Sequence, residues 1–338
     1  MRLIISWQIR NSLFRAKAAN NLIRDVPKTS PGLEPPGRLG LHRLGCFLSI
    51  TEIRMSARSF SSLRRDEWDN FVLISGGSFL GSWAVLRART LVGTVSIFEF
   101  FIRRESGDPQ KIGQCAIAPA RGNVIFLDRI HLKPDQRHLW DLCFKLIVQR
   151  FGAAVYYYGS HWNHEDRCEL GAIPGFVTQI VSDKQFHIDL IDLHDWDGFP
   201  AYRRDISENV RRDYRKAQHT SARLETRFGL TALRDVFPLV TLRAEVMHKH
   251  RVRFSSFVDY FVHAVKLAIF GSNAFITTVR IKTKCYSAFF GIQSGSRLYY
   301  ISGGTTKNRS GFGSYLLLTL IENWFVRHPN GKLVMGAV

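Results

Sequence analysis

The sequence predicts an α/β (α+β) protein of two tandem units, each a mixed, mainly antiparallel sheet flanked by helices. Three observations carry that prediction. The chain has 338 residues, 45% of them hydrophobic and 12% aromatic, with only 11 prolines, so it can bury two sizeable cores. A series of strand-like runs, a helix and a further strand occurs twice, which points to duplication of one α/β unit. Near the C-terminus, Arg297 to Ser302 reads as a strand, Gly303 to Gly313 as a glycine-containing loop, and Ser314 through Val326 as an apolar helix.

Residues 1–54 stand apart from this pattern, with many Arg, few acids and the linker-like run Pro31 to Gly37. Met1 to Arg24 has no acidic residue and has the character of a transit peptide. The preferred reading is a disordered or non-native extension, because Met55 opens a segment of globular character. The expected organisation is therefore an extension at 1–54, a first and degenerate unit at 55–190, and a second unit at 191–338 that carries the functional site.

In the first unit, Asn70 to Leu86 reads as buried helix, turn and strand, since its glycines Gly76, Gly77 and Gly81 break it well short of a membrane span. Strands are predicted at Trp83 to Leu91, Thr94 to Arg103, Lys111 to Ala118 and Asn123 to Asp128. Leu139, Leu142, Cys143, Leu146 and Ile147 then fall at helical spacing, with Asp135 after Pro134 as an N-cap, and Ala153 to Tyr158 returns as a strand. Between the units, Phe186 to Leu193 is strand-like and leads to a helix from about Asp205 to Gln218. Ile206, Val210, Tyr214 and Ala217 form its apolar stripe, and Arg211, Arg212, Arg215 and Lys216 lie on the other side. That basic face is either a solvated surface or a guide for an anion.

The second unit repeats the order: strands at Ala274 to Lys282, Cys285 to Gln293 and Arg297 to Ser302, then the glycine loop, the helix to Val326, and a strand at Lys332 to Met335. Leu317, Leu320, Ile321 and Trp324 at i, i+3, i+4 and i+7 bury one helix face. Gly311 and Gly313 leave the N-terminus of that helix without bulk, so free backbone N–H groups can face a phosphate, as an acyl-CoA pyrophosphate requires. The first unit has Lys133 to Arg137 at the corresponding junction, and Pro134 has no N–H to offer. If one half binds a cofactor, it is the second.

The charge balance is strongly basic: 47 Lys and Arg against 28 Asp and Glu, or +19. Such a field attracts polyanions of any kind without choosing among them. The five cysteines, Cys46, Cys115, Cys143, Cys168 and Cys285, are odd in number and widely spaced, which speaks against a disulfide framework or a zinc site and for reduced thiols in the cytoplasm. His248 and His250 fall on different faces of a helix, so a metal is not expected. No Gly-x-Ser-x-Gly, His-Glu-x-x-His or Walker sequence occurs, which argues against hydrolase, zinc-protease and nucleotide-hydrolase readings.

Phe199 to Ala217, the strand pair around Gly291 and Tyr300, and Asn308-Arg-Ser-Gly-Phe-Gly-Ser314 together resemble the GNAT-fold acyltransferases of the double-domain kind. That group is related to the Fem peptidoglycan aminoacyltransferases and to acetyltransferases encoded with cellulose and exopolysaccharide genes. The resemblance covers roughly Trp68 to the end. It implies that Asn308, Arg309, Ser310, Gly311, Phe312, Gly313 and Ser314 hold the CoA pyrophosphate, that Arg211 and Arg212 guide an anionic substrate, and that the strand Leu298 to Ser302 supplies N–H groups for the developing oxyanion. Tyr300 is the catalytic candidate. Asn308 stands where the general loop has Arg or Gln, with Arg309 adjacent, and the chain stops at Val338 where family members continue with a further strand, so either the fold closes differently or the C-terminus is missing.

The activity implied is transfer of an acyl group from acetyl-CoA or another acyl-CoA to an amine or hydroxyl, with a sugar or cell-envelope precursor as acceptor, in the cytoplasm and without a metal or a transmembrane segment. Two rivals stand beside it. One is a Fem-type transferase that takes its donor from aminoacyl-tRNA; the other is a degenerate, non-catalytic binding protein.

Overall fold

The computed structural model describes residues 50–104, 108–120, 122–152, 154–159, 162, 190–306 and 311–335. In the first unit β1 (Ile50–Arg58), β2 (Ser96–Arg104), β3 (Gln110–Ala120) and β4 (Asn123–Phe126) pair antiparallel in that order. The short β5 (His131–Leu132) pairs with β3, and β6 (Val155–Tyr157) lies parallel to β4. Helices α1 (Arg65–Ile74) and α2 (Trp83–Thr90) connect β1 to β2, and α3 (Trp140–Phe151) precedes β6. A parallel neighbour needs a crossover, and α3 supplies it.

The second unit uses the same order. After β7 (Leu190–Asp192), α4 (Gly198–Asp205) and α5 (Glu208–Gln218), the strands β8 (Arg223–Phe228), β9 (Ala274–Ile281), β10 (Lys284–Ser294) and β11 (Arg297–Thr305) pair antiparallel. Helices α6 (Leu233–Lys249) and α7 (Ser256–Phe270) lie between β8 and β9, and α8 (Gly311–Arg327) crosses to β12 (Lys332–Val334), parallel to β11. The outer edge of β12 is covered by β7. Strand, two helices, three strands, helix, parallel strand is thus read twice, as two tandem GNAT-like units.

Several expectations change. Of the expected loop from Gly303 to Gly313, Gly303 to Thr305 extend β11 and Gly311 to Gly313 open α8. Asp135, expected as an N-cap, lies inside a 3-10 turn, Pro134–Leu139, and α3 follows Leu139. Trp83 to Leu91, expected as a strand, is helix α2: its first N–H, at Trp83, donates to Asp69 Oδ1 at 2.6 Å and Leu86 turns into the core. The helix expected from about Asp205 to Gln218 is present as α5 but starts later, after Ser207, because Ile206 is extended (φ −71°, ψ 158°), and a separate helix, α4, precedes it. Strand β1 begins at Ile50, inside the stretch expected as an extension, and residues 1–49 lie outside the described residues.

The second sheet is buried on both faces. Leu298 and Tyr300 of β11 face a core with α4, α5 and α8, built on Phe312, Leu316, Ile321 and Trp324. Tyr299 and Ile301 point the other way, toward α6 and α7, as the two-residue period of a strand requires. The first unit enters this second core: Phe79, between α1 and α2, packs its ring against Tyr299 at 4.9 Å and Phe270 at 5.6 Å. Arg297 Nη1 also donates to Gly76 O at 3.0 Å, tying the start of β11 to the end of α1. Buried Asp235 of α6 accepts from Arg227 at 2.6 Å and Arg280 at 2.8 Å, fastening that helix to β8 and β9.

Candidate active site

The parallel strands β11 and β12 pair only through Arg297↔Lys332, Leu298↔Leu333 and Tyr299↔Val334, yet β11 continues to Thr305. On its other edge β11 stays paired with β10 as far as Thr305↔Ser287. Beyond Tyr299, the backbone groups of β11 that face the β12 side therefore have no strand partner among the described residues. The register also slips at this point. Tyr300 opposes Gly291 and Ser302 opposes Phe290, which leaves Ile301 as a β-bulge on β11. A notch with unpaired N–H groups beside a bulge is an arrangement suited to a developing oxyanion.

Helix α8 starts at Gly311, just past this notch. The first four N–H groups of a helix have no intrahelical acceptor, so those of Gly311, Phe312, Gly313 and Ser314 are free of helix bonding. Both glycines sit in tight places. A Cβ at Gly311 would lie 3.3 Å from Asp213 O of α5, and one at Gly313 would lie 2.9 Å from Thr305 Oγ1 of β11. Their lack of a side chain thus lets the start of α8 seat between α5 and β11, whatever else it does. The Phe312 side chain is buried against Tyr286, with ring centroids 5.5 Å apart, so only its backbone remains for a ligand. Asn308, Arg309 and Ser310 lie outside the described residues.

Tyr300 faces the α8 side, with its ring 4.9 Å from Phe289. Its hydroxyl lies over Gly303, where a Cβ would come within 2.2 Å of it. Burial pushes its phenol up and the Arg243 charge pulls it back, so at neutral pH it is a proton donor.

On the opposite face of β11 is a polar network that the sequence did not single out as a unit. Ser302 Oγ is 2.7 Å from Nε2 of His263 on α7, and His263 Nδ1 is 2.7 Å from Asp259 O. Because a carbonyl only accepts, Nδ1 carries the proton and Nε2 accepts from the Ser302 hydroxyl. Arg243 of α6 also reaches His263 Nε2 at 3.2 Å and pairs with Asp259 Oδ1 at 3.1 Å. Burial, with Lys266 and Arg243 nearby, pushes His263 down to about 3 and keeps the ring neutral. Lys266 is itself lowered to about 8 by burial. Gly304 makes this meeting possible: a Cβ there would sit 2.7 Å from Leu242 C, so only glycine lets α6 cross β11 closely enough to deliver Arg243. His248, His250 and Glu245 are exposed and take no part.

Arg211 and Arg212 separate in space. Arg211 lines a surface pocket with Phe199, Pro200, Arg203, Arg204 and Glu322, while Arg212 is exposed outside it. Among the described residues no group of three or more His, Cys, Asp or Glu could hold a metal ion, and no helix is long and apolar enough to cross a membrane.

No protein-family model matches the sequence, and no curated protein sequence matches it. Among solved structures, FemX is similar over 85% of this chain and 89% of its own, with a TM-score of 0.60 at 10% identity. A tandem GNAT protein from the clavulanic acid biosynthesis pathway aligns over 84% of this chain and 90% of its own, at 11% identity and a TM-score of 0.44. At such identities the FemX likeness speaks to fold alone, and it agrees with the strand order and crossovers described above: the chain has the tandem GNAT-like fold of the Fem-like transferases.

Proposed function

We propose that the chain is an acyltransferase that moves an acyl group from an acyl-CoA thioester to an amine or hydroxyl acceptor in its second unit. The observation that carries this reading is the parting of β11 from β12 after Tyr299, next to the bulge at Ile301 and to the start of α8. In this reading the free N–H groups of Gly311 to Ser314 receive the pyrophosphate, helped by the helix dipole, and Asn308, Arg309 and Ser310 complete the loop. The thioester carbonyl lies in the notch, where β11 N–H groups receive the oxyanion.

The acceptor reaches the notch from the α6 and α7 side. Its nucleophile attacks the carbonyl carbon while its proton passes to Ser302 Oγ and the Ser302 proton passes to His263 Nε2. As the C–S bond breaks, the Tyr300 hydroxyl protonates the leaving thiolate, and Tyr300 and His263 recover their starting states through solvent. A sugar or cell-envelope precursor is the acceptor class favoured, since it presents the amine or hydroxyl that this route needs.

Calorimetry of the full chain with acetyl-CoA and, separately, with aminoacyl-tRNA tests the proposal. Saturable acetyl-CoA binding that is lost in Gly313→Val supports it. Binding of aminoacyl-tRNA alone would replace it with a Fem-type reaction, and a folded chain that binds neither would leave a non-catalytic protein.

A further inference from the structure

The pocket that takes in Arg211 lies away from the notch. Its volume is ≈ 420 Å³, within the range of small-molecule sites, and Arg203 and Arg204 of α4, Arg211 of α5 and Glu322 of α8 line it over Phe199 and Pro200. Glu322 follows Gly311 by eleven residues on α8, about 16 Å at the usual rise per residue, so one pyrophosphate cannot occupy both places.

Local structure aims these groups. The Arg203 guanidinium rests over the Tyr214 ring, 5.2 Å from its centroid, and the Tyr214 hydroxyl donates to Glu322 Oε2 at 3.2 Å. Arg211 Nη1 donates to Arg204 O at 2.8 Å and Nη2 pairs with Glu208, while its buried Nε has no hydrogen-bond partner. The neighbouring carboxylates are engaged elsewhere: Asp205 accepts from Trp196 Nε1, and Glu208 holds Arg211 and Arg215. Arg203 and Arg204 are thus left with no carboxylate partner among the described residues. Arg203 and Arg204, without a carboxylate partner, line one cavity with Arg211, whose charge Glu208 offsets, so the cavity carries an excess of positive charge that favours an anion, and phosphate suits the planar donor forks. A single carboxylate on the same wall selects against a bare anion and for a ligand that also offers a hydroxyl or amine.

The geometry points to a binding site for a phosphorylated small molecule bearing hydroxyl or amino donors, with a sugar phosphate as the simplest member of the class. The phosphoryl group sits among Arg203, Arg204 and Arg211, the hydroxyls face Glu322, and the carbon skeleton lies on Phe199 and Pro200. This site stands independently of the acyl-transfer reading.

The test is calorimetry of the full chain with glucose 1-phosphate, inorganic phosphate and glucose. Glucose 1-phosphate should bind best and glucose not at all. Arg203→Ala with Arg204→Ala should weaken it by roughly tenfold or more, from lost charged hydrogen bonds. Glu322→Gln should remove its advantage over inorganic phosphate. Arg204→Ala alone, an exposed change, should weaken binding in the same direction if the double variant melts early. Lys216→Ala, exposed and outside the pocket, should leave affinity unchanged. Failure of both phosphates to bind would overturn the inference, as would an equal loss in Lys216→Ala, which would mark a general positive field. Acetyl-CoA titrated into the Arg203 and Arg204 variant separates the two sites: loss of both ligands together would overturn a separate pocket, while loss of the sugar phosphate alone supports it.

Discussion

In the first unit β4 is four residues long and pairs with β6 from Asn123 to Ile125, almost its whole length. In the second unit β11 is nine residues long and pairs with β12 over three. The same order of elements therefore closes the gap in one copy and, among the described residues, leaves it open in the other. The junctions differ to match. After β4 the chain returns through β5 to β3 and enters α3 by way of Pro134, whereas β11 runs out past its partner and α8 begins on a glycine. Each unit also buries a histidine against its sheet. His131 of β5 lies 3.2 Å from Ser75 Oγ, beside Asp128, which accepts from the Ser78 N–H and hydroxyl. That cluster fastens the turn between α1 and α2, while the His263 network borders the notch. Duplication kept the architecture, and the two copies differ in how far one strand runs beyond its described partner, which is the difference that the proposed thioester site rests on.

The comparison breaks most sharply through the buried ion pairs, one carboxylate between two cations in each unit. Asp235→Ala leaves Arg227 and Arg280 uncompensated around a fully buried position and should cost about 3–5 kcal/mol. Glu99→Ala faces Arg58 and Lys111, whose side chains are 47% and 28% exposed, and should cost about 1–2 kcal/mol. Urea denaturation of both variants checks the order; equal losses would show that the two ion-pair clusters are equivalent.

The buried histidines should separate function from support. Ser302→Ala and His263→Gln should lower kcat roughly 10²–10⁴-fold with little change in acetyl-CoA affinity. His131→Gln should lower the melting temperature and leave kcat alone. Thioester consumption with a panel of amino sugars reads the first effect and thermal unfolding the second. If His131→Gln impaired turnover as much as His263→Gln, the notch would lose its special standing.

At the start of α8 the two roles of Gly313 can be split. Gly313→Val should weaken acetyl-CoA binding by roughly tenfold or more through lost access to backbone donors. Its cost in stability, about 1 kcal/mol, comes from the contact with Thr305 Oγ1, a side chain that can turn away. Adding Thr305→Ala should restore the stability and not the affinity. Restoration of both would make the glycine a packing residue only.

The smallest effect, per unit of pH, concerns both units equally. His131 and His263 are each held near 3, below the ordinary 6.5, chiefly by burial. Below about 6.5 the unfolded chain binds protons that the folded chain refuses, so stability falls as the pH drops toward 3, by up to ~1.4 kcal/mol per pH unit for each histidine. Denaturation from neutral pH downward should show His131→Gln and His263→Gln each flattening that slope by one proton. A slope unchanged in either variant would mean that its histidine is charged in the folded state.

Much of the architecture was legible from local pattern. The repeated order of strands, helix and strand, the apolar stripe Val210, Tyr214 and Ala217 of α5, and the helix expected from Ser314, which begins three residues earlier at Gly311, all follow from side-chain period and glycine placement, which act over a few residues. The run at Trp83 has apolar residues that fit either period. What decides it is a contact with Asp69, fourteen residues earlier. The glycines at 311 and 313 were legible as places without bulk, but the neighbours that demand it, Asp213 and Thr305, were not.

By itself, then, the sequence determined a duplicated α/β chain whose second copy differs at the strand-to-helix junction, because hydrophobic period and backbone freedom are local properties. Only the tertiary structure decided where the candidate site lies. Arg243, Asp259, His263 and Ser302 span sixty residues with no common period, and they meet because Gly304 lets α6 cross β11 while α7 packs beside it. The notch likewise depends on how far two strands distant in sequence stay paired, and no local pattern along β11 records where β12 stops.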